Sequence, residues 1–112
     1  MTRMVDFADS ARSTLGAEWE LALVDRESLD LVPRAGEVLD AIAGSSIAGH
    51  VVGEMLTNTV EVVSGVHTQV RGVVDDLESI IRELRPVTDD LGLELMSAGT
   101  HPFALWHDQE VT

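Results

Sequence analysis

Glu18 and Glu20 stand two residues apart in a stretch that alternates from residue 14 to 25 (TLGAEWELALVD). Leu15, Ala17, Trp19, Leu21 and Leu23 fall on one side, and Gly16, Glu18, Glu20, Ala22 and Val24 on the other. A period of two predicts a strand. Both carboxylates then leave the same face with Cβ atoms about 7 Å apart, and Trp19 points the other way, into the expected core. Glu61 lies among Val60, Val62 and Val63 in a second β-rich run over 56–63, and Glu54 precedes that run. Carboxylates that converge repel, and each raises the other's proton affinity unless a cation stands between them. The chain has no Lys and these runs carry no Arg, so a hard divalent ion such as Mg²⁺, which prefers carboxylate oxygen, is the natural counter-charge. A wet strand face bearing solvated glutamates is the other reading. Spacing alone favours it, because alternating Glu on half-exposed strands is common.

The remaining reactive residues form no known constellation. No two of His50, His67, His101 and His107 have the spacing of a zinc site, and there is no cysteine to supply thiolate ligands or disulfides. Gly-x-Ser-x-Gly, P-loop and Gly-x-Gly-x-x-Gly patterns are all missing, and nothing groups Ser, His and Asp as a triad.

These carboxylates must be positioned by a small set of elements. Residues 1–13 read as an irregular arm, and 26–31 as a polar turn. Pro33 opens a predicted helix through about Ala43, stopped by Gly44. Residues 44–53 (GSSIAGHVVG) read as a loop, and Ser64-Gly65 ends the second strand. From 68 to 91 the apolar positions Val70, Val73, Val74, Leu77, Ile80, Ile81, Leu84 and Leu91 follow a helical stripe of core type, with Thr68 as N-cap. Pro86 should kink or break that helix near Leu84, and Gly92 should end it. Residues 93–98 (LELMSA) read as a third strand, and 99–112 show no period. The expected order is β, α, β, α, β, an α+β pattern.

Length and charge bound the function. A chain of 112 residues is one domain or part of one. With 20 acidic and 7 basic residues the net charge is −13, which opposes nucleic acid and anionic membrane surfaces as partners. At 45% hydrophobic it can build a core. No apolar run is long enough to cross a membrane, and residues 1–13 lack the apolar segment of a secretory signal, so a cytoplasmic location is expected.

Several segments together resemble one family. Residues 14–25 are similar to the opening Gly-x-Glu-x-Glu strand of the carboxylate–amine ligases of the glutamate–cysteine ligase type 2 group. Residues 30–35 (DLVPRA) resemble the loop that follows it, 54–66 (EMLTNTVEVVSGV) its second acidic strand, and 98–106 (AGTHPFALW) its Ala-Gly-Thr-His-Pro-Phe element. A single Gly-x-Glu-x-Glu would say little; the segments occur together, in order, over nearly the whole chain.

The resemblance implies part of a glutamine-synthetase-like catalytic fold, with an antiparallel sheet as active-site floor and helices packed on one face. It implies ATP-dependent ligation: ATP phosphorylates the γ-carboxylate of glutamate, and cysteine or another small amine attacks the acyl phosphate. By position Glu18, Glu20 and Glu61 correspond to metal-binding glutamates for Mg²⁺, with Glu54 a further candidate, while Thr100 and His101 line the substrate pocket. For His101 a structural turn role stays open beside a site role. Family members are much longer, and their later strand with a Gly-x-His-x-His-x-Gly pattern has no counterpart in residues 1–112. The chain is therefore expected to be a single partial domain, the N-terminal portion of such a ligase, and inactive alone. A truncated, non-catalytic paralogue acting as a protein-interaction module is the alternative. Strand edges and apolar helix positions without later elements to cover them predict a homo-oligomer.

Overall fold

The computed structural model describes residues 4–6 and 12–112. Of the predicted N-terminal arm, residues 1–3 and 7–11 lie outside the described residues. The elements are β1 (Glu18–Asp25), α1 (Ala35–Ile42), β2 (Val51–Gly53), β3 (Thr59–Val63), α2 (Val70–Asp90), β4 (Leu93–Met96) and a 3₁₀ turn at Trp106–Asp108. The four strands form one antiparallel sheet in the order β2-β3-β1-β4. The architecture is α+β, as the alternation and helical stripe predict.

Register assigns the two faces. Leu21 pairs with Val60, Leu23 with Leu95, and Val62 with Val51. These side chains share the face against which both helices pack. Leu23, Val38, Val60, Val62, Leu84 and Leu93 are fully buried there, joined by Ile42, Ile47 and Ile80. The opposite face carries Glu18, Glu20, Ala22, Thr59 and Glu61, so the helices hold the sheet from behind and leave the acidic face open.

Four local readings are corrected. The predicted loop 44–53 contains β2, because Val51 and Val52 pair with Val62 and Glu61 and outweigh the loop chemistry of the surrounding Gly and Ser. Helix α1 starts at Ala35, two residues beyond the Pro33 start, where the Ala35 N–H donates to the Thr57 carbonyl. Helix α2 has Gln69, not Thr68, at its N-cap and runs through Pro86 to Asp90. Pro86 lies on the exposed side, where water can serve the Arg82 carbonyl that loses its N–H partner, while buried Leu84 and Thr88 hold the helix to the core on either side. Gly92, at φ 72°, closes the helix as predicted. Trp19 does lie on the core face, yet it sits at the sheet's end, 38% exposed, and its indole Nε1–H donates to Ser97 Oγ at 3.0 Å.

Residues 99–112 lack a side-chain period but are tied down by main-chain bonds. The Thr57 N–H donates to the Glu110 carbonyl, the Thr112 N–H to the Met55 carbonyl, and Leu56 bridges Val111. This strap lies beside the segment that carries Glu54. Among the described residues no helix is long and apolar enough to cross a membrane.

Candidate functional site

The open face of the sheet gathers carboxylates from three separate segments. Glu20 on β1 is directly opposite Glu61 on β3, and in an antiparallel pair such residues point to the same face. Val52 of β2 pairs with Glu61 on its other side, which carries the chain to Glu54 two residues later. Glu20, Glu54 and Glu61 each offer an oxygen within 4.8 Å of the others. Glu18 shares their face but stands one position along, opposite Val63, and does not join the group.

The electrostatics follow from this crowding. Burial pushes the Glu61 carboxyl above the ordinary glutamate range, helped by a hydrogen bond with Glu54 and by the negative charges of Glu18, Glu54 and Glu20. The ion pairs of the described residues place no Arg or His on these four glutamates.

The donor set fits a hard cation. It is all carboxylate oxygen, and among the described residues no Arg or His forms an ion pair with it. An octahedral Mg²⁺ shell spans about 4.2 Å between opposite oxygens, and a Ca²⁺ shell about 4.6–5.2 Å. Three oxygens that all lie within 4.8 Å of one another can converge on one such ion through side-chain adjustment.

Beside the carboxylates, on the same face, lies a cavity of about 370 Å³ whose lining includes Glu20, Asn58, Met96, Thr100, His101 and Trp106. Its size is in the range of small-ligand sites. Thr100 and His101 thus share a cavity with Glu20. Both ring nitrogens of His101 are engaged by main-chain groups.

Sequence reasoning overlooked Asn58, which is 2% exposed. Its Nδ2 donates to Gln109 Oε1 at 2.6 Å and its Oδ1 accepts from Thr59 Oγ1 at 2.8 Å, tying the strap to β3. A signal was available: it is the chain's only Asn and it sits in a β-rich run, where Asn is disfavoured unless its amide has work to do.

Fold and site together define an α+β domain whose single antiparallel sheet presents an acidic cluster, suited to a hard cation, next to a small-ligand cavity. The chain belongs to glutamate–cysteine ligase family 2, whose profile matches residues 14–112. A protein of Clavibacter michiganensis subsp. michiganensis (strain NCPPB 382), named "Putative glutamate--cysteine ligase 2", is 52% identical over 112 residues, covering 99% of this chain and 29% of that protein. One of the same name from Leifsonia xyli subsp. xyli (strain CTCB07) is 52% identical over 110 residues, covering 96% of this chain and 29% of its own length. "Putative glutamate--cysteine ligase 2-2" of Rhodococcus jostii (strain RHA1) is 48% identical over 113 residues, covering 97% and 30%. The chain therefore spans less than a third of the length of the curated relatives it matches.

Proposed function

We propose that this chain supplies the acidic sheet of an ATP-dependent carboxylate–amine ligase that joins the γ-carboxylate of glutamate to cysteine or a related small amine. The observation that carries the reading is the convergence of Glu20, Glu54 and Glu61 from three segments onto one point of the open face. Family membership supports it independently. On this reading the sheet is the N-terminal part of a glutamine-synthetase-like catalytic fold, with the helices behind the active-site floor.

Glu20, Glu54 and Glu61 would hold Mg²⁺, and Glu18 would add negative potential from the next position on the face. When bound, Mg²⁺ supplies charge neutralisation at the ATP phosphates during transfer to the glutamate carboxylate. The exposed Thr100 would offer its hydroxyl to a ligand in the cavity next to Glu20. The acyl phosphate that forms on glutamate would then meet the amine. Phosphoryl transfer also needs cationic clamps around the nucleotide. A polypeptide of 29% of the relatives' length is proposed to turn over nothing alone.

The test is phosphate release dependent on ATP, glutamate and cysteine, compared between the 112-residue chain and a polypeptide extended to the relatives' length. The longer protein should be active, and Glu61→Gln should abolish most of that activity with the fold intact. An inactive long protein whose carboxylate face binds no Mn²⁺ would instead favour a non-catalytic interaction module.

A further inference from the structure

We propose that His101 is a positioning residue: a neutral latch that holds the 26–31 turn to the start of the strap and so builds the rim of the cavity beside Glu20. The latch itself stands on geometry alone; its bearing on substrate rests on the ligase reading above.

The ring's partners determine its chemistry. Nε2 lies 2.7 Å from the carbonyl oxygen of Leu29. Nδ1 lies 3.2 Å from the Phe103 N–H nitrogen and 3.0 Å from that of Ala104. A carbonyl can only accept and a main-chain N–H can only donate, so Nε2 carries the proton and Nδ1 presents its lone pair. That tautomer satisfies all three partners and leaves no lone pair for a metal or for a proton from substrate. The Phe103 ring stands edge-on to the imidazole, with centroids 4.3 Å apart.

Leu29 shows what the latch does. It has φ 63°, in the left-handed region that L residues with a full side chain adopt only at a cost. Such a conformation persists where surrounding contacts over-determine it. On one side the Leu29 N–H donates to the Asp25 carbonyl at 2.8 Å, and Asp25 Oδ1 accepts from the Glu27 and Ser28 N–H groups. On the other side His101, 72 residues away, is the one group among the described residues that donates to the Leu29 carbonyl. Two residues on, Leu31 bridges Val24 and lines the same cavity as Thr100 and His101. The latch therefore joins two segments distant in sequence at the cavity's edge.

The test uses the 112-residue chain and needs neither metal nor turnover, so it fails or succeeds independently of the ligase reading. Ring ¹⁵N NMR at neutral pH should show His101 with Nε2 protonated and Nδ1 bare; a ring protonated at Nδ1 would overturn the proposal without any substitution. His101→Ala should speed amide exchange at residues 29, 103 and 104 by about tenfold or more. His101→Asn, whose side-chain oxygen can replace Nδ1, should retain protection at 103 and 104 and lose it at 29. In Leu29→Gly the strain is absent, so adding His101→Ala should leave exchange at residue 29 within about threefold of wild type. Unchanged exchange at 29 in His101→Ala, or equal loss at 29 with and without Leu29→Gly, would overturn the latch.

Discussion

Glu20 and Glu61 face each other across the β1–β3 pairing, two carboxylates in direct register on the open face of the sheet. Like charges directly opposite on a sheet are destabilising unless something compensates them. The ladder between β1 and β3 enforces the approach, because Trp19–Val62 and Leu21–Val60 pair on either side of it and the buried Val60, Val62 and Leu21 lock the register. Hydrophobic burial behind the sheet thus holds an unfavourable charge arrangement in front of it.

Removing one carboxylate from the cluster should therefore weaken divalent binding without unfolding the chain. Glu20→Gln, Glu54→Gln and Glu61→Gln are each expected to raise the Mn²⁺ dissociation constant by about tenfold or more, since affinity follows the ligand charge count. Glu18→Gln should change it less, because Glu18 stands outside the group. Calorimetric titration with Mn²⁺ checks the ranking, and an equal loss at Glu18 would redraw the site.

Stability of the metal-free chain should fall as pH rises through the range just above 4.5. Glu61 keeps its proton to higher pH when folded than the ordinary value of 4.5 allows, because of burial and its acidic neighbours. In that window the folded chain binds more protons than the unfolded one, so raising the pH favours unfolding. Glu61→Gln should remove this slope and stabilise the metal-free chain at pH 7. Urea midpoints measured from pH 4 to 7, with and without Mn²⁺, read it directly; a wild-type slope unchanged in Glu61→Gln would assign the effect to other groups.

Much of this was legible in the sequence, for reasons particular residues make plain. Alternation around Trp19 and Leu21 marks β1, and the stripe from Val73 to Leu84 marks α2, because burial imposes its period on the residues it covers. Glu18, Glu20, Glu54 and Glu61 could all be named as carboxylates of interest. Their grouping could not, because it depends on which residue of β3 lies opposite Glu20 and where β2 delivers Glu54. β2 was hidden: three residues are too few for a period, and Gly and Ser surround them. The strap was hidden because its bonds to 54–57 are main-chain bonds supplemented by the Thr57 and Thr112 hydroxyls, and neither kind imposes a period on the sequence.

Acid should loosen a different corner. Asp76 on α2 accepts from His67 Nε2 at 2.8 Å and from the Gly65 N–H at 2.6 Å, and His67 followed by that N–H holds its carboxyl below the ordinary 3.8. A depressed carboxyl contributes stability that is full above about 3.8 and is lost as pH falls through its folded value. Asp76→Asn should cost roughly 1–3 kcal/mol at pH 7 and flatten the decline below pH 4. Chemical denaturation at pH 7 and pH 3 measures both; a variant as acid-sensitive as wild type would show that Asp76 does not carry that limb.

The same corner reverses a usual rule about glycine in helices. Gly72 lies in the first turn of α2, where replacing Gly by Ala ordinarily gains about 1 kcal/mol. Here an added Cβ would come within 2.7 Å of His67 Nδ1 and 3.1 Å of its Cγ. The ring cannot swing aside freely: Asp76 holds Nε2, and the His67 main chain exchanges both hydrogen bonds with Leu15 at 2.8 Å. The overlap therefore falls on a side chain fixed at both ends, and crowding of this kind costs about 1–3 kcal/mol, more than the helix gains. Gly72→Ala is expected to destabilise the chain. In a His67→Ala background the obstruction is gone and the same substitution should become stabilising. Thermal or urea midpoints of the four proteins in this cycle decide the matter: a stabilising Gly72→Ala in the wild-type background would mean that the His67 ring yields despite Asp76.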